Sequence, residues 1–210
     1  MNRTHYVQGR QPASSRFASV AARTRLELCS VDEPCEVRSQ HVGALLAWSP
    51  HVQRIGTYMV LRFEHGPTAL WLTQVLGSPD AELVAVGGDG GTVCVQNPQT
   101  VLGRYGYRDG RWMFGRGCDA ALGIGRGAVH AAGVFDRRGL RVPCPTAAMM
   151  LTLTAVLARL GIKAKPTGGQ PRAMVTAADI PDTLARLGVS AEAAGQYRRL
   201  RDSNRKVAQS

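Results

Sequence analysis

The stretch that decides the fold is CDAALGIGRGAVHAA, residues 118–132, an apolar segment rich in glycine and alanine. Its composition predicts a helix whose small side chains let a second helix approach closely. The matching segment is PCEVRSQHVGALLAW at residues 34–48, where apolar residues recur at spacings of three and four and Pro50 follows. We predict that the two helices pack together through six small residues. These are Gly43, Ala44 and Ala47 of the first helix and Gly127, Ala128 and Ala131 of the second.

The elements around these two helices occur twice along the chain. Pro67-Thr68-Ala69 and Pro145-Thr146-Ala147 each begin a further helix, and a Leu-Gly pair ends each of them. Short strands around glycine-rich hairpin turns complete each copy. The copies lie roughly 83 residues apart, which indicates an internal duplication. We therefore predict an α+β domain of two tandem αββαββα repeats related by a pseudo-twofold axis.

The domain boundaries follow from this duplication. We predict a flexible basic arm at 1–16, a first repeat at 17–106, a connector at 107–117, and a second repeat at 118–207 that ends in a basic helix. No run of about 18 apolar residues occurs, so we expect no membrane-spanning helix. Residues 1–16 also lack the apolar segment of a secretory signal, and we expect a cytoplasmic protein with free thiols.

Charge points to a polyanionic partner. The chain has 26 Lys and Arg against 15 Asp and Glu, a net charge of +11. Such an excess favours nucleic acid, because cations that bind phosphates release counterions. Two clusters are the candidate DNA-binding residues. They are Arg141, Lys163, Lys165 and Arg172 in the second half, and Arg198, Arg199, Arg201, Arg205 and Lys206 on the terminal helix.

A third basic cluster lies in and before the connector, where arginines alternate with Tyr105, Tyr107 and Trp112. These aromatic side chains either stack on bases or pack under a loop, and the sequence leaves both open. For every cluster the alternative to DNA binding is that the cations lie on a solvated surface or stabilise the C-terminal end of a helix dipole.

Metal and cofactor chemistry has little support in the sequence. The five cysteines form no CxxC pair, and no histidine lies at zinc-ligand spacing from them, so we predict no zinc site. Gly123, Gly125 and Gly127 have the wrong spacing for a phosphate loop and fit close helix packing better. No cofactor is expected. Cys29 and Cys35 are six residues apart, and the sequence leaves open whether they form a redox pair.

Several short motifs, in order along the chain, resemble the LAGLIDADG homing endonucleases and, more closely, the WhiA family of actinobacterial sporulation regulators. The resemblance covers about residues 17–207. The motifs are VGALL (42–46), RGAVHAAG (126–133), RLGIKAK (159–165), ARLGV (185–189) and RRLR (198–201) followed by SNR (203–205).

The resemblance bears directly on catalysis. Homing endonucleases place one carboxylate at the end of each interface helix, and the pair holds the divalent metal that assists phosphodiester cleavage. The matching positions here lie near Ser49 and Ala132, and neither is acidic. Asp136 is close in sequence, but the first half has His51 and Gln53 where its partner would stand. We therefore expect no enzyme activity and no metal site.

The WhiA resemblance implies transcription regulation in sporulation and cell division, at the nucleoid, with contacts mainly to the DNA backbone. It also implies protein partners such as another transcription regulator or an RNA polymerase sigma factor. That family carries a C-terminal helix-turn-helix domain for which we expect no counterpart before Ser210. Two hypotheses stay open. One is a catalytically inactive scaffold that contacts DNA, and the other is a protein-interaction module or decoy without DNA binding of its own.

Overall fold

A computed structural model describes residues 13–77, 79–87 and 90–207, without the side chains of residues 13–15 and 204–207. The first half comprises α1 (Ala13–Ser30), α2 (Cys35–Trp48), β1 (Val52–Ile55), β2 (Tyr58–Phe63), α3 (Gly66–Leu76), β3 (Ala81–Gly87), β4 (Gly90–Gln96) and α4 (Pro98–Val101). The rest comprises β5 (Tyr107–Arg108), β6 (Arg111–Trp112), α5 (Cys118–Ala132), β7 (Val134–Asp136), β8 (Gly139–Pro143), α6 (Ala147–Arg159), β9 (Ala164–Pro166), β10 (Arg172–Thr176), α7 (Ile180–Arg186) and α8 (Ala191–Val207).

The two halves have the same topology. Each contains a four-stranded antiparallel sheet, with the order β1-β2-β4-β3 in the first half and β7-β8-β10-β9 in the second. Alternate residues of each strand face opposite sides, so Met59 and Leu61 of β2 enter the core while Arg62 faces outward. The predicted α+β fold of two αββαββα repeats is confirmed. Within the described residues no helix is long and apolar enough to cross a membrane.

The central feature is the close packing of α2 against α5. A Cβ atom added to Gly127 would lie 2.6 Å from Ala44 Cβ and 2.7 Å from Leu45 N. One added to Gly123 would lie 2.7 Å from Gln40 Cβ. All three distances are shorter than a normal contact of a Cβ atom, so glycine is required at these two positions.

Five of the six predicted interface residues lie in or beside this contact. Ala44, Ala47 and Ala128 are buried in the core of the second half, and Ala131 packs against both cores. Gly43 is a correction, because a Cβ on it would collide with the carbonyl of Tyr105 in its own repeat. A helix has several faces, and the small residue at Gly43 serves a different one.

Helix α1 departs from the prediction in two ways. It begins at Ala13, so residues 13–16 of the predicted arm are helical, and residues 1–12 lie outside the described part of the chain. Moreover, most of α1 falls within the predicted first repeat at 17–106, yet Phe17, Val20 and Leu28 are buried in the core of the second half. The sequence shows that this helix is amphipathic but does not show which core it joins.

Three short elements have no clear sequence signal. Strands β1 and β7 have four and three residues and add an edge to each sheet. The predicted connector contains the small hairpin β5–β6, in which the rings of Tyr107 and Trp112 lie 4.9 Å apart. These elements form because neighbouring strands and rings support them, and short polar segments rarely predict such pairing.

We predict that Gly127→Ala lowers the free energy of unfolding by roughly 2–3 kcal/mol, because the methyl group forces α2 and α5 apart. Urea denaturation followed by circular dichroism measures the change. The control is Gly195→Ala in α8, where the new Cβ meets only Arg199 Nη1 at 3.5 Å. This variant should gain up to about 1 kcal/mol from helix propensity. Equal stability of Gly127→Ala and the parent chain would contradict the packing described here.

Candidate nucleic-acid interface

The outward face of the second sheet carries a group of cations. Arg141 on β8 is aligned with Met174 on β10, which is aligned in turn with Lys165 on β9. Arg172 is aligned with Pro143 and shares this face. The structure therefore brings together three of the four predicted sheet cations.

The fourth, Lys163, is exposed one residue before β9. The buried neighbours Leu140, Val142 and Ala173 fix the direction of the strand-borne cations, because alternate residues must enter the core.

Asp136 lowers the positive charge of this face. Its carboxylate accepts hydrogen bonds from the backbone N–H groups of Arg138 at 2.7 Å and Gly139 at 3.1 Å. It also pairs with the Arg141 guanidinium at 2.9 Å. The Nε atoms of Arg141 and Arg172 are buried and make no hydrogen bond within the described residues. The face thus holds two guanidinium groups whose hydrogen-bonding capacity is not fully used.

The first sheet presents a different surface. The outward residues of β2 are Tyr58, Val60 and Arg62. On the neighbouring strands the outward side includes Glu82 and Cys94. Among the described residues named here, one cation and one carboxylate balance each other, whereas the outward face of the second sheet carries three cations.

The terminal helix contributes two exposed cations, Arg198 and Arg199. Arg201 is half-exposed and pairs with Asp202 at 3.2 Å. The side chains of the predicted Arg205 and Lys206 lie outside the described residues. Helix α8 is anchored next to the sheet by Tyr197, whose hydroxyl donates to the Asp136 carbonyl at 2.9 Å.

The connector aromatics are used for packing. Tyr105 and Tyr107 are buried in the core of the first half, and Trp112 packs against both cores. Arg104 lies 5.0 Å from the Tyr105 ring centroid and donates to the Leu76 carbonyl at 2.5 Å. These contacts answer the question left by the sequence, since the three rings are not free platforms for stacked bases.

The ends of the central helices carry no acidic residue. Helix α2 ends at Trp48 and is followed by Ser49, whose hydroxyl donates to the Leu45 carbonyl at 2.7 Å. Helix α5 ends at Ala132. Among the described residues no group of three His, Cys, Asp or Glu side chains is placed to hold a metal ion.

A buried chain of polar side chains runs between the two central helices. Glu33 pairs with Arg126 at 2.8 Å and accepts a hydrogen bond from His41 Nδ1 at 2.9 Å. His41 Nε2 lies 3.0 Å from His130 Nδ1, and His130 Nε2 lies 2.8 Å from Thr68 Oγ1. We call Glu33, Arg126, His41, His130 and Thr68 the central polar chain. Their five positions are scattered in sequence, and the only signal was the presence of Arg126 and two histidines within apolar helices.

The environment of the chain shifts its pKa values. Burial acts to raise the pKa of Glu33, but the hydrogen bonds and charges of His41 and Arg126 outweigh burial and hold that pKa below its ordinary value. Burial lowers the pKa of His130 well below 6.5, and the charges of His41, Arg25 and His65 lower it further. His130 is therefore neutral at physiological pH.

The two cysteines left open by the sequence are both free thiols. Cys29 Sγ lies 3.6 Å from His130 Nε2 and 3.8 Å from the Pro67 carbonyl, while Cys35 is exposed at the start of α2. Burial raises the pKa of Cys29 to about 12. Cys29 is thus a protonated, partly buried thiol and has none of the features of a reactive thiolate.

Comparison with solved structures places this architecture among known folds. Full-length DUF199/WhiA from Thermatoga maritima is 14% identical, with 89% of this chain and 70% of that chain covered and a TM-score of 0.61. The N-terminal LAGLIDADG domain of DUF199/WhiA is 14% identical, with coverage of 81% and 90% and a TM-score of 0.59. The endonuclease I-DmoI in complex with DNA and Mn is 13% identical, with coverage of 74% and 98% and a TM-score of 0.53.

No protein-family model and no curated protein matches the sequence. At these identities the structural likeness establishes the fold. The predicted WhiA-like LAGLIDADG fold is confirmed.

We predict that His130→Asn weakens the dependence of stability on pH. Because the folded pKa of His130 is depressed, the unfolded chain binds more protons below pH 6.5, and the parent chain loses stability as the pH falls. The variant should lose up to about 1.4 kcal/mol less per pH unit between about pH 6.5 and 5. Urea denaturation at a series of pH values gives both slopes.

The control for this comparison is His51→Asn, which changes an exposed histidine and should keep the slope of the parent chain. If His130→Asn and His51→Asn had the same slope, burial of the central polar chain would not govern the acid sensitivity.

Proposed function

We propose that this chain is a WhiA-like regulatory scaffold that holds duplex DNA by its phosphate backbone and does not cut it. The observation that carries the proposal is the outward group of Arg141, Lys165 and Arg172 on the second sheet. The resemblance to LAGLIDADG endonucleases implies that these sheets lie across the DNA grooves, and I-DmoI, which shares the fold, is in complex with DNA. The resemblance to the WhiA family supports a role in sporulation or cell division at the nucleoid.

The physical basis of this binding is electrostatic. Guanidinium groups match phosphate geometry in a bidentate way, and Arg141 and Arg172 each retain a buried Nε without a partner among the described residues. Binding of a phosphate in the groove beside Arg138 would supply that partner. Phosphate contacts position a protein on DNA but carry no sequence information. We therefore infer binding with little dependence on base sequence.

The absence of cleavage rests on the ends of the central helices. A metal-assisted nuclease needs oxygen ligands for its divalent ion. Instead, Ser49 follows the last residue of α2 and Ala132 is the last residue of α5. The nearby Asp136 is occupied by Arg141 and two backbone N–H groups. Asp136 thus acts in the structure as a partner of the DNA-facing cations.

We predict that the triple variant Arg141→Gln, Lys165→Gln, Arg172→Gln binds duplex DNA with a weaker dependence on salt. The slope of log K against log salt concentration should become smaller in magnitude by about three, because each lost cation removes about one phosphate contact. Fluorescence anisotropy on a duplex of random sequence, at a series of salt concentrations, measures the slope.

The matched control removes three charges from other surfaces by Arg108→Gln, Arg111→Gln and Arg159→Gln, all of which are exposed. It lowers the net charge equally and should keep most of the parent slope. Equal slopes for the two triple variants would show that general charge, and not the second sheet, attracts DNA.

We also predict that supercoiled plasmid and linear duplex stay intact when the chain is incubated with them and Mg²⁺ or Mn²⁺ under conditions that give full binding. The reason is the missing pair of carboxylates at Ser49 and Ala132. Agarose and sequencing gels detect nicks and double-strand breaks. Metal-dependent products that persist in a chain purified by two independent routes would refute the non-catalytic proposal.

A second candidate function has its own observation. The exposed face of α6 includes Ala148, Leu151 and Ala155, and the helix has no charged residue before Arg159. Such a face suits a protein partner, for which another transcription regulator or a sigma factor is the candidate. The salt titration separates the two functions, because phosphate binding weakens steeply with salt whereas an apolar protein interface does not. Failure to retain DNA at low salt would favour the protein-interaction module.

A further inference from the structure

A cavity of about 490 Å³ lies where α2 and α5 end, between the two sheets. Its volume is in the range of small-molecule sites, roughly 300–1,000 Å³. Phe63, Ala131, Val134, Pro143 and Pro145 give it a largely apolar wall. The polar lining includes Arg25, His65, Thr68 and His130, so the cavity reaches the end of the central polar chain.

Arg25 brings to this cavity a cation that forms no ion pair with any described carboxylate, although Glu64 lies in the same lining. Its Nε donates to the His130 carbonyl at 3.1 Å and its Nη2 to the Gly133 carbonyl at 3.2 Å, and both acceptors are neutral. In the part of the chain that the structure describes, no carboxylate pairs with Arg25, and burial lowers its pKa while only the charge of Glu64 raises it. A partly desolvated cation of this kind favours the entry of an anion, since an anion restores the lost electrostatic stabilisation.

His65 supplies a second polar group whose ring is held in position. Its Nδ1 lies 3.0 Å from Thr68 Oγ1, and Thr68 is fixed in turn by His130. The other ring nitrogen, Nε2, makes no hydrogen bond to any described residue. Burial lowers the pKa of His65, and the charge of Arg25 lowers it further. An anion beside both groups would oppose that second effect and favour a protonated His65 that donates to the anion.

The rim of the cavity has the same polarity. Arg62 and His51 line it, and Glu64 is its only acidic residue among those described. We propose that this cavity binds a small organic anion, a carboxylate or a phosphate monoester. Its charged group lies against Arg25 and His65, and its apolar body packs on Phe63 and Val134. Arg141, Lys165 and Arg172 do not line this cavity, although Val134 and Pro143 lie opposite Arg141 and Arg172 in the strand register. The ligand site therefore borders the proposed DNA-binding face but uses different side chains, and it goes beyond DNA binding.

The test uses phenyl phosphate and benzoate as probes, with benzyl alcohol and inorganic phosphate as the matched compounds that lack the charge or the apolar body. Titration calorimetry and ligand-observed NMR on the full chain measure binding. Both aromatic anions should bind more tightly than either matched compound. Arg25→Gln should weaken their binding by about tenfold or more, since a charge-assisted hydrogen bond is lost.

Two further variants keep the test decisive if Arg25→Gln fails to fold. Val134→Trp places a large ring at an exposed rim position and should abolish probe binding while Arg25 stays in place. Arg54→Gln removes an exposed arginine outside the cavity and should bind the probes like the parent chain. Thermal unfolding confirms that each variant is folded.

Three outcomes would overturn the proposal. The first is no binding of either aromatic anion by the folded parent chain. The second is equal binding by folded Val134→Trp and Arg54→Gln. The third is that a short DNA duplex displaces phenyl phosphate whereas benzoate does not. That result would mean that the cavity holds a phosphate of DNA and not a small organic anion. The first two outcomes do not involve DNA, so a loss of DNA binding in the sheet triple variant leaves them unaffected and the failures of the two proposals can be told apart.

Discussion

The two central helices approach so closely that no side chain fits at Gly123 or Gly127, and the relative position of the two repeats depends on this contact. Close approach brings the backbone of α5 against the carbonyl and amide groups of α2. Interiors packed at crystal-like density respond to an added methyl group with strain, so the contact fixes one geometry. Both sheets are connected to these helices, so the helix contact sets the orientation of one outward sheet face relative to the other.

The same contact encloses the central polar chain. A buried ion pair such as Glu33–Arg126 adds little net stability, because desolvation offsets most of the Coulomb attraction, but loss of one partner is costly. His41 and His130 extend the pair across the helix interface. In the observed register of α2 against α5, Glu33, His41 and His130 each have a polar partner, and a shift of one helix along the other would break these contacts.

Duplication has produced two halves with one topology and different surfaces. The second sheet carries Arg141, Lys165 and Arg172, whereas the first sheet has one outward arginine and a nearby carboxylate. Helix α1 strengthens the asymmetry, because it packs into the core of the second half and places Arg25 at the end of α5. Proposed binding of DNA phosphates and of a small anion thus uses residues from different parts of the molecule.

The sequence by itself determined the fold. The repeated order of helices, strands and glycine turns, with small residues on two long helices, predicted the LAGLIDADG-like duplication, and local patterns are sufficient for that. It also predicted Arg141, Lys163, Lys165 and Arg172 as strand-borne cations of the second half, and the strand register places three of these four on one face of the sheet. Only the tertiary structure decided that Gly43 faces its own repeat, that α1 joins the second core, and that Glu33 meets His41 and Arg126. Such contacts depend on how the faces of separate elements meet in space, and periodicity within one element does not specify its neighbour.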